Sequence, residues 1–196
     1  MKLRLKLAAV IAVLGTAGIA TAATNHEGGS TFKAKLTGYE EASPVTLSTS
    51  GTGTFKATLN NAGDQLSYTI SYTGPFDANP AGGTVTQSHI HFGARAISGG
   101  ISAFLCSNLG NGPAGTPACP TPSGTVSGTI TAAQVIGPAG QGIQPGEFTE
   151  LVKALRLGFA YANVHTTTFP AGEIRGQISS KGDDENDAHH GGKGHD

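Results

Sequence analysis

Leu66-Ser67-Tyr68-Thr69-Ile70-Ser71-Tyr72 decides the fold class: apolar and aromatic residues stand at every second position, with Ser and Thr between them. That is the period of a strand with one buried and one wet face. Thr31-Phe32-Lys33-Ala34-Lys35-Leu36 repeats it, with Lys on the wet side. Working outward, strand-like runs recur at Gly51 to Leu59, Thr84 to Phe92, Ile101 to Cys106, Thr125 to Ile130, Phe159 to His165 and Glu173 to Ser179. Turn signals separate them, including Asn60-Asn61-Ala62-Gly63-Asp64, Asn79-Pro80 and Phe169-Pro170-Ala171-Gly172. About seven or eight short antiparallel strands predict an all-β, Greek-key-like sandwich or barrel. One short helix is expected near 147–157, where Phe148, Leu151, Val152 and Leu155 fall at helical spacing ahead of Gly158.

The 196-residue chain has 30 Gly, two Cys, no Trp and only 13% charged residues, which suits short strands and many turns in a single domain. Similar runs at Ser50 to Phe55 and Ser123 to Gly128 suggest paired hairpins or an old duplication.

The ends differ from the body. Lys2, Arg4 and Lys6, the apolar stretch Leu7 to Ala20 and the small residues Ala20-Thr21-Ala22 read as a secretory signal peptide over 1–22 rather than a retained membrane anchor. Residues 23–30 read as a flexible lead-in, 31–179 as the β domain, and 180–196 as a disordered acidic, His-rich tail. Its His189, His190 and His195 either capture metal loosely or are simply solvated. No transmembrane segment is expected in the mature chain. Without Lys2, Arg4 and Lys6, nine basic residues face 13 acidic ones, a net charge of −4. With no concentrated basic surface, a nucleic-acid partner is excluded.

Export gives the cysteines a context. Cys106 and Cys119 flank a Gly- and Pro-rich loop and are expected to form a disulfide. A reactive thiol or a zinc site built on the pair is the weaker alternative, since neither stands in a Cys-x-x-Cys arrangement.

Three histidines remain in the body. His89 and His91 in Ser88-His89-Ile90-His91-Phe92 would project from one strand face, and His165 ends another strand-like run. Two imidazoles from one strand and a third from a neighbour suit copper or zinc. The competing reading gives each ring an ordinary hydrogen bond to a backbone carbonyl or Thr hydroxyl. Glu173 and Arg175 are polar candidates that would share a strand face, as an ion pair or as a brace for His165; Arg95 and Glu147 are further polar candidates. No Ser-His-Asp set is distinguishable.

Leu36-Thr37-Gly38-Tyr39-Glu40-Glu41-Ala42-Ser43-Pro44-Val45, Ser50 to Phe55, Ser88 to Gly93, and Ala162-Asn163-Val164-His165-Thr166 through Pro170 to Ile178 together resemble the CHRD domain, in order over about 31–179. That family is named for modules of the extracellular growth-factor antagonist chordin and includes single-domain exported bacterial proteins. The resemblance implies a secreted or periplasmic β-rich binding or structural module, with His89, His91 and His165 at characteristic positions and an extracellular protein or cell-surface carbohydrate as partner. It carries no defined enzymatic activity. Two departures stand out: Glu40-Glu41-Ala42-Ser43-Pro44 where a Glu-Val-Pro-Pro-like opening is usual, and the Cys106 to Cys119 insertion. The His-x-His strand is also similar to that of copper-zinc superoxide dismutase, which would imply redox-active copper on the three histidines. The chain has no further His-rich loop with an Asp for a bridging zinc.

Overall fold

The computed structural model describes residues 31–42, 46–74, 76 and 83–180; the expected signal peptide, lead-in and tail, save its first residue, lie outside these. The strands are β1 (Thr31–Thr37), β2 (Thr52–Leu59), β3 (Leu66–Thr73), β4 (Val85–Phe92), β5 (Gly100–Ser107), β6 (Gly124–Ile130), β7 (Ala160–Thr166), β8 (Ile174–Gln177) and β9 (Ser179–Ser180), with α1 (Phe148–Arg156) between β6 and β7. All pair antiparallel, in the order β5-β4-β7-β8-β1-β2-β3-β6, with β9 added on β1.

The result is an all-β, nearly closed barrel whose seam lies between β5 and β6. Three links bridge that seam. The Tyr68 hydroxyl donates to the Leu105 carbonyl at 2.6 Å, the Ile136 N–H donates to Ser102 O at 2.9 Å, and Cys106 is joined to Cys119. The expected disulfide is therefore present, tying the end of β5 to the segment that leads into β6.

Alternation fills the interior. Phe32 and Leu36 from β1, Phe55 from β2, Leu66 and Ile70 from β3, and Ile130 from β6 are fully buried in one apolar cluster, and Leu151 and Leu155 of α1 join it. Instead of pairing with each other, the two Gly-Thr-rich runs contribute β2 and β6, which flank β3 on either side. Gly128 lies opposite Tyr68, where a Cβ would meet the tyrosine ring.

The last expected strand is split. The Ile178 N–H turns to the Ala160 carbonyl at 2.9 Å, so the chain leaves β7 and resumes as β9 against Phe32 and Lys33. Between β8 and β1, the backbones approach so closely that a Cβ on Gly176 would lie 2.2 Å from Lys35 O. That spacing excludes any side chain there.

Candidate metal centre

Along β7 the even positions Ala160, Ala162 and Val164 belong to the core, so Tyr161, Asn163 and His165 face the opposite, outer side of the barrel wall. On β4 an irregularity in the ladder between Val85 and Gln87 resets the alternation: Val85 and Ile90 both reach the core, while His89 and His91 share the outer side with β7's odd residues. Register places His89 opposite Asn163 and His91 opposite Tyr161. This outer face is not wet. Loop residues Glu41 and Thr49 before β2, Gly99 before β5, and Pro170 and Gly172 before β8 close over it, leaving His89 at 0% exposure.

The three histidines expected to form a site come together. One candidate ligand atom from each lies within 4.8 Å of the others, and His89 Nδ1 is 3.1 Å from His165 Nε2. Two nitrogens bound at about 2.0–2.1 Å to one tetrahedral zinc are about 3.3 Å apart. His91 Nδ1 faces Gly99 O at 2.9 Å, and His165 Nδ1 faces Pro170 O at 3.0 Å. A carbonyl only accepts, so each Nδ1 carries the proton and each Nε2 keeps its lone pair for the cluster. Carbonyl hydrogen bonds thus account for one nitrogen of His91 and of His165, while His89 meets only His165; the buried Nε2 atoms of His91 and His89 have no partner.

Electrostatics keep the rings neutral. Burial pushes His89 down to about 2, reinforced by His165 and His91. His91 falls to about 4, again chiefly through burial, with the Gly99 carbonyl opposing. Burial lowers His165 as well, against the Pro170 carbonyl. Neutral imidazole is the form that binds metal.

Aromatic packing fixes the rings. His89 meets Phe104 edge-on at 4.4 Å, and His91 stacks on Tyr161 at 4.8 Å between centroids. Tyr161 also carries the Arg175 guanidinium 3.4 Å from its ring centre.

Glu173 and Arg175 do not form the expected pair. Glu173 accepts from Thr49 Oγ1 at 2.7 Å and Thr166 Oγ1 at 2.6 Å, while Arg175 donates to the carbonyls of Ala94 and Ile97. Glu173 lies just before β8, beyond the regular alternation that would put the two on one face. Glu173 thereby ties the β7–β8 loop to the segment before β2, and Arg175 holds the β4–β5 loop. Arg95 pairs with Glu40 on the surface, and Glu147 accepts from the Gln144 N–H at the start of α1.

Two further side chains, Asn163 and Glu41, border the cluster. Asn163 is 2% exposed, with Oδ1 3.0 Å from His165 Nε2. Its signal was available, because Tyr161-x-Asn163-x-His165 has the same period as His-x-His. Glu41 is buried in a loop, where periodicity is silent; burial lifts its carboxyl to about 7 against the pull of Arg175. Gly172, at φ 128°, lets that carboxyl approach: a Cβ there would lie 2.7 Å from Glu41 Oε1.

The family model for the CHRD domain matches residues 32–178. The chain belongs to the CHRD family. No curated protein and no solved structure matches it. In this CHRD domain the match begins within β1 and ends just past β8, so it contains every residue of the histidine cluster. No helix among the described residues is long and apolar enough to cross a membrane, and the Cys106–Cys119 disulfide fits an extracellular fold.

Proposed function

We propose that this CHRD domain is a metal-binding module that holds one copper or zinc ion through His89, His91 and His165. The observation that supports it is the pair of carbonyl-anchored rings, His91 and His165, whose Nε2 atoms are turned into one buried cluster with His89. Histidine ligands in metal sites characteristically donate their second N–H to a carbonyl or carboxylate, which fixes tautomer and ring orientation. Copper at such a site would add one-electron chemistry, and zinc would add Lewis acidity. The protein's part is to supply three neutral nitrogens and to exclude bulk water. A periplasmic or extracellular location is the reading that the basic and apolar start of the sequence suggests, and the Cys106–Cys119 disulfide supports it.

Metal analysis and Cu(II) or Zn(II) titration of the full chain, compared with the His89→Ala, His91→Ala, His165→Ala variant, test the proposal. Wild type should bind one tight equivalent more than the triple variant, any uptake by His189, His190 and His195 being common to both. Equal uptake sinks it.

The second reading is a binding module for an extracellular protein. Tyr39 and Ile97, 69% and 58% exposed, sit on the two loops joined by the Glu40–Arg95 ion pair and offer apolar contact area. Loss of partner capture from culture medium or envelope extract in a Tyr39→Ser, Ile97→Ser variant, with metal uptake unchanged, would favour it.

A further inference from the structure

We infer that Asn163 is a fourth protein ligand, contributing its amide oxygen to the ion held by His89, His91 and His165. This rests on the metal-binding reading and adds to it a residue outside the histidine set. Asn163 stands at the centre of the outer face, opposite His89 on β4 and opposite Arg175 on β8.

Its surroundings pose a problem of proton count. His165 Nδ1 donates to Pro170 O, so the neutral ring has no proton on Nε2. Asn163 Oδ1 nevertheless lies 3.0 Å from that nitrogen, and His89 Nδ1 approaches the same nitrogen at 3.1 Å. A hydrogen on His89 Nδ1 can satisfy the nitrogen; none is left for the oxygen, which faces another lone pair. A cation between them turns this repulsion into shared coordination: oxygen and nitrogen donors bound at about 2.0–2.2 Å stand about 3 Å apart at an angle near 90° and about 3.4 Å apart at the tetrahedral angle.

Turning the amide over would place Nδ2 on His165, but would aim the carbonyl at the Glu41 side. There a single point, the position of a Cβ on Gly172, lies 3.0 Å from Asn163 Nδ2 and 2.7 Å from Glu41 Oε1. Glu41 Oε1 is a buried acceptor with no hydrogen-bond partner, so an amino group suits that side and the carbonyl is left toward the imidazoles.

The test uses the full chain with Asn163→Leu and Asn163→Asp, reading Cu(II) affinity by chelator competition and the Cu(II) EPR spectrum, with circular dichroism to establish folding. Asn163→Leu should weaken binding on the order of 10- to 100-fold. Asn163→Asp should retain binding and shift the g and hyperfine values, because an anionic oxygen replaces a neutral one. Wild-type affinity in a folded Asn163→Leu, or a wild-type spectrum in Asn163→Asp, overturns the assignment; if the Leu variant does not fold, the Asp spectrum decides. Wild-type protein that takes up no more copper than the triple His variant overturns the metal site itself, so the two failures read separately.

Discussion

A proton is the smallest probe of this site. Burial pushes His89 down to about 2 and His91 to about 4 in the folded chain, against 6.5 for a free ring. The unfolded chain therefore binds protons that the folded chain refuses. Stability from these rings is complete above about pH 6.5 and is lost as pH falls through 4 for His91 and onward to 2 for His89, by about 1.4 kcal/mol per pH unit per ring. Thermal melts of metal-free protein should show Tm falling steadily below pH 6.5; a flat Tm between pH 7 and 5 would contradict buried neutral rings. Glu41 has the opposite sign. Its folded pKa of about 7 exceeds the ordinary 4.5, so its stabilising contribution is full below 4.5 and disappears as pH rises through 7. A charged Glu41 at pH 8 costs on the order of 3 kcal/mol. Glu41→Gln should thus raise Tm at pH 8 and change it little at pH 4. The histidines were legible because a strand period declares which residues share a face; Glu41 was not, since a loop residue's burial depends on which distant strand it lands on.

At the scale of elements, local patterning was enough to mark every principal strand to within a residue or two, and α1 as well. What it missed was the break at Ile178, because that residue continues the two-residue alternation begun by Ile174 and Gly176, and only the carbonyl of Ala160, eighteen positions back, redirects its N–H. The expected Glu173 and Arg175 pairing failed for a related reason: one stands on the strand and the other in the loop before it. The close approach of β8 to its neighbour β1 yields a prediction here. Gly176→Val would force its Cβ into the Lys35 carbonyl, and overpacking of this kind costs about 1–3 kcal/mol or more. Urea denaturation should show a lower midpoint, whereas Gly140→Ala, with open space around it, should serve as the near-neutral control.

The whole molecule closes through contacts that sequence periodicity does not encode: neither the strand order nor the seam follows from spacing, since β6 pairs with β3 across more than fifty intervening positions. The disulfide was legible from two cysteines flanking a Gly- and Pro-rich loop, but its place at the seam was not. Reducing it, or replacing both cysteines by serine, should lower stability by about 3 kcal/mol on the loop-closure estimate. Tyr68→Phe, which removes the hydroxyl bridge to Leu105, should cost about 1–2 kcal/mol, the carbonyl being left buried. Chemical denaturation checks both, and an additive loss in the combined variant would mean that the two links act independently.

The alternation along β7 has an evolutionary consequence. One strand serves two sides, residue by residue: Ala160, Ala162 and Val164 pack the core, while Tyr161, Asn163 and His165 face the histidine cluster on the outer side. Selection can then exchange the loops above the outer face, or the odd-numbered side chains beneath them, without reopening the question of whether the barrel assembles. Such a wall is a scaffold on which new ligand sets can be tried one substitution at a time.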